Sequence, residues 1–595
     1  MNRDSASTAD ADACRSQFAR SLAVVIGIGD YTSGIPTLTT PVNDATYLAR
    51  SLAREHGYEV RLLVTEVIKA KLETKLSEEL ARELGPDDRL LVYFAGHGVA
   101  LDGDDGPAGY LLPQDANPDD RSTFLAMTEL HGWLNNLPCR HLLLILDCCF
   151  AGAFRWASTR HIGVLPDVIH KERFDRFLQS PAWQVITSAS YDQRALDVLT
   201  GSVVSCLGTR KEHSDRHSPF AQAFFAGLAG EGDIVPKGQG DGVITASELA
   251  LYLRQIVEVE VAQRATLEQT PQIWPLSKHR TGEYIFLVPG HPLNLPPAET
   301  LTARNNPYRG LRPYEREHQE LFFGREEETE ELLARIESQP FVAVLGASGT
   351  GKSSLVKAGL LPRLADAGPG WCVLPPMRPT DHPVQALSSL LRENLSGVPV
   401  KLDAVNGLAQ ATAGWKSMNP KARLVLTVDQ CEELITLCRD DARRAHFSAL
   451  LAEAVRSQPD AFRLVLTLRS DFEPQLAQET PLESGWLAAR YVVPPMDQSD
   501  LRDVIEGPAS VRVLYFEPPE LVDKLINEVV QMPGALPLLS FTLSEMYLRY
   551  VRSGRDNRAL TQGDYQALGG VIGSLRQRAS EEHDALPDDA HRATM

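Results

Sequence analysis

The 595-residue chain has no long hydrophobic run. A bilayer-spanning helix needs roughly 20 consecutive apolar residues, and the stretch Leu22-Ala-Val-Val-Ile-Gly-Ile falls well short. The opening residues, MNRDSASTADADAC, are polar and acidic and lack the apolar core of a secretory signal. Cysteine is scarce: Cys14, Cys139, Cys148, Cys149, Cys206, Cys372, Cys431 and Cys438 are scattered, with no Cys-x-x-Cys pair. That usage excludes a disulfide framework and fits a reducing compartment, where thiols are buried hydrophobes or nucleophiles. An excess of positive charge is also missing. The net charge of −19 argues against a general nucleic-acid-binding surface. No internal repeat is evident. These absences predict a cytoplasmic protein with no membrane association.

Hydrophobic content of 43% and charged content of 23% are ordinary for a globular protein. At this length two to four domains are expected. Residues 1–17 read as a disordered tail. From 18 to 287, short β-rich runs alternate with helical stretches, the signature of an α/β sheet. The expected strands are 21–28, 59–64, 89–94, 141–146 and 184–188, and a helix starts near Asn43 with Ala45, Leu48, Leu52 and Ala53 at helical spacing. Residues 288–306 contain four prolines and no periodicity, a linker. A second α/β module covers 307–475, with strands at 341–345, 423–428 and 463–468. Residues 476–595 read as a helical lid and the start of a further, winged-helix-like region.

In the first module one hydrophobic run ends in Tyr93-Phe94-Ala95-Gly96-His97-Gly98 and another in Asp147-Cys148-Cys149-Phe150-Ala151-Gly152. A cysteine protease needs a thiolate, a histidine to generate it and later protonate the leaving amine, and donors for the oxyanion. In an α/β sheet such groups collect where strands end. His97 and Cys149 both lie just past strand ends, and a separation of about 50 residues is the caspase spacing. Glycines close by let the backbone approach a substrate.

These residues, together with Val24-Val-Ile-Gly-Ile-Gly, Tyr31, Pro41-Val-Asn43-Asp44-Ala45, Tyr110-Leu-Leu-Pro113 and Gln269-Thr-Pro271-Gln272, resemble the caspase-like clan over about 21–275, specifically its metacaspase-like and prokaryotic members. The resemblance implies that Cys149 is the nucleophile and His97 its base. It implies that the backbone N–H groups of Gly98 and Cys149 form the oxyanion hole, and that Asp44 and Asp147 line the pocket for the residue before the scissile bond. Two carboxylates there would favour Arg or Lys through charge-assisted hydrogen bonds. Phe150, where metacaspases have histidine, departs from the pattern. Protein substrates follow from this reading. A basic stretch, 155–180, reads equally as a self-processing loop or as a solvated surface loop. Gly242, Ile244 and Glu248 fit three positions of a calcium-binding loop, but Lys237 falls at the first ligand position. Thr245-Ala-Ser-Glu248 is better read as a capping box opening a helix over 249–257, and no calcium is assigned.

In the second module Phe341-Val-Ala-Val-Leu345 runs into Gly346-Ala-Ser-Gly349-Thr-Gly351-Lys352-Ser353, a complete phosphate-binding loop between strand and helix. Its amides and the helix N-terminus would cradle phosphates, Lys352 would reach the β and γ phosphates, and Ser353 would ligate Mg²⁺. Leu424-Val-Leu-Thr-Val428-Asp429 ends a second strand in an acid placed to hold the same Mg²⁺. The ligand is therefore a nucleoside triphosphate with Mg²⁺, and the resemblance that follows implies that it is ATP. The flanking segments Asn306-Pro-Tyr-Arg-Gly-Leu-Arg312-Pro-Tyr, Leu321-Phe-Phe-Gly324-Arg325-Glu326, Asp429-Gln-Cys-Glu432-Glu433 and Gly534-Ala-Leu-Pro537 resemble STAND-type signalling ATPases over about 306–595. That resemblance implies Arg325 beside the adenine site, Arg469 as γ-phosphate sensor, Pro537 on the lid against the base, and Ser354 within the binding loop. Gln430 replaces the second acid of the pattern, so Glu432 or Glu433 is left to orient water, and slow hydrolysis suited to a switch is expected.

The two modules together predict a caspase-like α/β sandwich followed by a P-loop NTPase α/β domain with a helical lid. The expected function is a cysteine endopeptidase governed by an ATP-binding switch that forms a homo-oligomer on sensing an unknown trigger. By resemblance its setting is prokaryotic immunity or programmed death. The rivals are a catalytically silent caspase-fold scaffold and an ATP-driven unfolding protease. The second lacks any aromatic pore-loop signal.

Overall fold

The computed structural model describes residues 18–101, 108–149, 166–189, 216–264, 269–479, 483–530, 532, 534–574 and 576. The tail 1–17, Phe150, Cys14, Cys206 and the first part of the basic stretch 155–180 lie outside them. The chain divides into two compact units between Ala298 and Glu299, inside the proline-rich stretch. That stretch is not a free spacer. Lys171 N–H donates to Pro296 O and Ala298 N–H to Glu172 within the first unit, and Tyr547 OH donates to Thr302 O within the second.

The first unit is built on β1 (Ser21–Gly27), β2 (Glu59–Leu63), β3 (Arg89–Ala95), β4 (Gly98–Leu101), β5 (Ala108–Leu111), β6 (Leu125–Ala126), β7 (His141–Asp147), β8 (Ala182–Thr187), β9 (Val243–Thr245), β10 (Gln272–Pro275) and β11 (Ile285–Leu287). Six of these form one sheet in the order β10-β8-β7-β3-β1-β2. All neighbours are parallel except β10, which runs antiparallel to β8. The central strands are apolar on both faces, as a sheet covered on both sides requires. Leu22, Val24, Ile26, Leu90, Val92, Phe94, Leu142, Leu144 and Leu146 pack one face with Leu72, Leu76, Leu130 and Leu134. The alternate residues, including Ala23, Val25, Tyr93, Leu143 and Ile145, pack the other face with Ala45, Leu48 and Leu52 of helix α1 (Pro41–Arg54). This period of two also fixes the fate of Asp147: it continues the series Leu143, Ile145 and so emerges on the α1 face.

The capping box at Thr245 is present, with Thr245 N–H and Oγ1–H donating to Glu248 and Glu248 N–H to Thr245 Oγ1, but its helix runs further than expected, over Ala246–Arg264. Within the described part of the basic stretch, 166–170 is irregular but 171–179 is not a loop. Lys171–Gln179 is a helix whose Arg173 is buried beside Phe174 and Leu178.

In the second unit, β12 (Phe341–Gly346), β13 (Trp371–Val373), β14 (Arg423–Val428), β15 (Phe462–Arg469) and β16 (Arg490–Val492) form a fully parallel sheet, order β13-β14-β15-β12-β16. The short β16 was not anticipated from the sequence. Helices Gln498–Val511, Glu520–Val529 and Leu536–Ser553, with the small pair β17 (Tyr515–Glu517) and β18 (Ala559–Thr561), build a separate apolar core around Leu525, Leu539, Leu543 and Tyr547.

Two candidate functional sites

In the first unit the sheet order reverses between β1 and β3, the kind of switch point where α/β sheets bind ligands. Ala95 of β3 lies directly opposite Asp147 of β7. His97 and Cys149 each stand two residues beyond that pair, so the register brings both to the same end of neighbouring strands. Tyr31 holds the histidine loop. His97 N–H donates to Tyr31 OH at 2.8 Å, and the two rings pack with centroids 5.1 Å apart. His97 Nε2 lies 2.8 Å from Pro36 O. A carbonyl oxygen only accepts, so Nε2 carries a proton in this contact and Nδ1 is the nitrogen that remains to accept one. Gly98 is a position only glycine can fill. A Cβ there would fall 2.4 Å from Cys149 O and 3.0 Å from Cys148 Sγ, so the backbones of the two expected oxyanion donors lie against each other. Cys148 is buried, and its thiol is pushed well up by desolvation, while Cys149 is partly open.

Asp44 and Asp147 converge on Ser218. Ser218 N–H donates to Asp44 Oδ2 at 3.2 Å and Ser218 Oγ–H to Asp147 Oδ2 at 2.7 Å. His217 Nδ1 lies 2.6 Å from Asp44 Oδ1, and Tyr93 OH reaches Asp147 at 3.4 Å. Both acids are buried. Desolvation, then the neighbouring Asp44 charge, push the Asp147 carboxyl up to about 7, and desolvation also raises Asp44 against the pull of His217. His217 stands beside Asp44, whereas the described partners of Asp147 include the hydroxyls of Ser218 and Tyr93 and no cation among the described residues. Pro36, His217 and Ser218 were not found from the sequence. Only the Ser-Pro start of helix Pro219–Ala226, with Ser218 as its cap, left a signal.

In the second unit, Gly346 of β12 lies opposite Arg469 of β15, bringing the phosphate loop to the sensor strand. Gly349 and Gly351 both have positive φ, the conformations that turn loop amides toward an anion. A Cβ on Gly349 would fall 2.4 Å from Gly534 O, so the loop and the lid's Gly534–Pro537 element meet backbone to backbone. Lys352 Nζ donates to Gly346 O and Ala347 O, and desolvation lowers its affinity for a proton. Ser353 Oγ–H and Thr467 Oγ1–H each donate to Asp429 Oδ1 at 2.7 Å. Asp429 is held below the ordinary carboxylate range. Burial alone would raise it, but Lys357 and the two hydroxyls outweigh that. A hydroxyl beside a buried carboxylate is a hard-oxygen donor set that fits Mg²⁺.

A cavity of 320 Å³, within the range of small-ligand sites, opens beside these residues, with Gly346 and Asp429 behind its lining. Gly349, Gly351, Lys352, Ser353, Ser354, Glu432, Arg469, Arg325 and Pro537 all line it. Of the two acids left open by the sequence, Glu432 faces the cavity and accepts from Arg469 N–H at 3.3 Å, whereas Glu433 points toward Arg378. Two expected groups are otherwise engaged. The Arg325 guanidinium is tied to Glu328 and Pro494 O, and that of Arg469 to Asp471 at 2.6 Å. Among the described residues no helix is long and apolar enough to cross a membrane.

Residues 20–279 match the family model for the caspase domain, and residues 307–595 match the one for Novel STAND NTPase 1. Among solved structures, caspase-1 from Spodoptera frugiperda is 15% identical over 44% of this chain and 92% of its own, with a TM-score of 0.28. A Geobacter sulfurreducens protein is also 15% identical, over 43% and 93%, with a TM-score of 0.28. The Aeropyrum pernix ORC1 protein, solved in complex with DNA, is 20% identical over 45% and 70%, with a TM-score of 0.32. No curated protein matches the chain.

Proposed function

We propose that this chain, a caspase domain followed by a STAND NTPase domain, is a cysteine endopeptidase that cuts after Arg or Lys under the control of an ATP-dependent switch. The observation that supports the reading is the pairing of Ala95 with Asp147, which puts the segments bearing His97 and Cys149 at the same end of neighbouring strands, by a buried pair of acids. His97 Nδ1 takes the Cys149 thiol proton, because Nε2–H is engaged by Pro36 O. The thiolate attacks the scissile carbonyl, the amides of Gly98 and Cys149 receive the developing oxyanion, and His97 returns the proton to the leaving amine. Water then releases the acyl group from Cys149. Asp44 and Asp147 receive the basic side chain before the cut, and Ser218 keeps the two carboxylates at the pocket floor.

In the second unit, the Gly346–Ser353 amides and Lys352 would hold the phosphates of ATP, and Ser353 with Asp429 would hold Mg²⁺, which supplies charge neutralisation between the phosphates. Arg325 and Pro537 would border the base. Glu432 would orient water, and Arg469 would meet the γ phosphate after leaving Asp471. Gln430 in place of an acid supports slow hydrolysis. A trigger favouring the ATP-bound state would drive homo-oligomerisation and bring peptidase domains together, in a cytoplasmic role in prokaryotic immunity or cell death. The test is cleavage of fluorogenic peptides ending in Arg, Lys or Asp. Cleavage after Arg and Lys that vanishes in Cys149→Ala supports the reading. Preference for Asp, or activity that survives Cys149→Ala, overturns it.

A further inference from the structure

Lys357 takes no part in the function proposed above, yet it is the cation nearest the metal-binding acid. It lies five positions beyond Lys352, on the helical run 352–366 that follows the phosphate loop. Its side chain is only 9% exposed, and Asp429 is only 1% exposed. Lys357 Nζ stands 2.9 Å from Asp429 Oδ2. The two oxygens of Asp429 are treated differently. Oδ1 accepts from both Ser353 and Thr467, whereas Oδ2 has no well-directed hydrogen bond and faces the Lys357 ammonium. Oδ2 is thus compensated chiefly by the Lys357 ammonium. An isolated buried carboxylate is heavily penalised, so the Lys357 charge helps to hold the acid in place.

The same ammonium has a second partner. Glu315 Oε1 lies 3.2 Å from Lys357 Nζ on a side chain that is 37% exposed. Glu315 belongs to the segment 306–325, which lines the nucleotide cavity through Tyr308, Arg312 and Tyr314. That segment is tied to the loop helix by Tyr314 N–H donating to Ser354 Oγ at 3.1 Å. It is tied to the lid by Tyr308 OH donating to Ile505 O at 2.6 Å and Asn306 Nδ2 to Ser544 Oγ at 2.9 Å. Lys357 is therefore shared between the metal-binding acid and a strap that spans loop helix and lid. The phosphate-loop lysine is excluded from this role, because its ammonium is bound to Gly346 O and Ala347 O.

We propose that Lys357 is a positioning residue, an internal counter-ion that holds Asp429 ready while no divalent cation is present and shifts toward Glu315 when Mg²⁺ arrives. This rests on the nucleotide reading of the site. A doubly charged ion beside Asp429 repels the ammonium, and Glu315 is the acceptor already within reach. Tightening of the Lys357–Glu315 pair then reports metal occupancy to the strap. Lys357 also makes the site less dependent on metal for nucleotide binding, since it already offsets the Asp429 charge that would repel phosphate.

The test measures the affinity of the full chain for a fluorescent ADP in EDTA and in Mg²⁺, for the wild type, Lys357→Met and Lys357→Arg. The methionine variant is expected to lose about tenfold in EDTA and to recover in Mg²⁺, so that its Mg²⁺ stimulation exceeds the wild type's by about tenfold, while arginine preserves the wild-type ratio. Equal Mg²⁺ stimulation in the wild type and Lys357→Met overturns the proposal. Glu315→Gln, at a half-exposed position, covers the case in which Lys357→Met does not fold. Hydrogen exchange at residues 313–316 should slow when Mg²⁺ is added to the ADP-bound wild type, and this response should be lost in Glu315→Gln. A response of equal size in both refutes the coupling. A wild type that binds no nucleotide under either condition refutes the nucleotide reading itself, and that is seen before any variant is compared.

Discussion

Replacing Asp147 by Asn removes one charge from the buried pair while leaving an oxygen that can accept from Ser218 Oγ. In the folded chain the Asp147 carboxyl is pushed up to about 7 from an ordinary value of 3.8, by desolvation and then by Asp44. Because the folded value is the higher one, the native state binds the proton more tightly than the unfolded state. Stability contributed by this group is therefore present below about pH 4 and is lost as pH rises toward 7, after which the loss is constant. A shift of about 3 units corresponds to about 4 kcal/mol. Asp147→Asn should thus stabilise the first unit by up to about 4 kcal/mol at pH 8 and by less than about 1 kcal/mol at pH 4. Hydrogen exchange of the His141–Asp147 amides, which open only with this sheet, reads that difference. Catalysis should move the opposite way. Loss of a hydrogen bond to a charged group, about 2 kcal/mol, should lower kcat/KM for an Arg peptide about thirtyfold at pH 8. In the wild type this part of kcat/KM should fall as pH drops below 7, a limb that the variant lacks. A variant that is less stable at pH 8, or that cleaves the Arg peptide as well as the wild type, refutes the buried-acid reasoning.

Tyr31→Phe removes the oxygen that accepts His97 N–H and should lower kcat several-fold, by about 1 kcal/mol, with KM nearly unchanged in peptide kinetics. Gly98→Ala places a methyl 2.4 Å from Cys149 O and should reduce cleavage to near background while circular dichroism stays native-like. Gly349→Ala, at a positive φ and 2.4 Å from Gly534 O, should weaken ADP binding at least tenfold in fluorescence titration, an effect of 1.4 kcal/mol or more.

Both sheets were legible because central strands are unbroken apolar runs, such as 142–146 and 341–345, as a doubly covered sheet requires. The crevice residues His97 and Cys149 were legible because each follows such a run. The short edge strand β16 was not, since three residues carry no periodicity. The neighbourhood of Asp44 and Asp147 came from resemblance, and the residues that organise it were silent. Pro36 acts through its carbonyl, which no side-chain pattern encodes, and Ser218 lies 71 positions from Asp147. Lys357, inside Leu355-Val-Lys-Ala358, carries no motif of its own. Only the packing of that helix on β14 and β15 reveals it as the partner of a buried acid. The same logic separates Glu432 from Glu433, adjacent in sequence and pointing to different places.

The central claim is that nucleotide state governs the peptidase. The most direct measurement is the rate of Arg-peptide cleavage by the full chain with no nucleotide, with ADP and with ATP, each with Mg²⁺, alongside Lys352→Ala and Cys149→Ala. The account predicts cleavage that rises with ATP, is absent in Cys149→Ala and loses its ATP response in Lys352→Ala. Cleavage of equal rate under all three conditions, unchanged by Lys352→Ala, would contradict it.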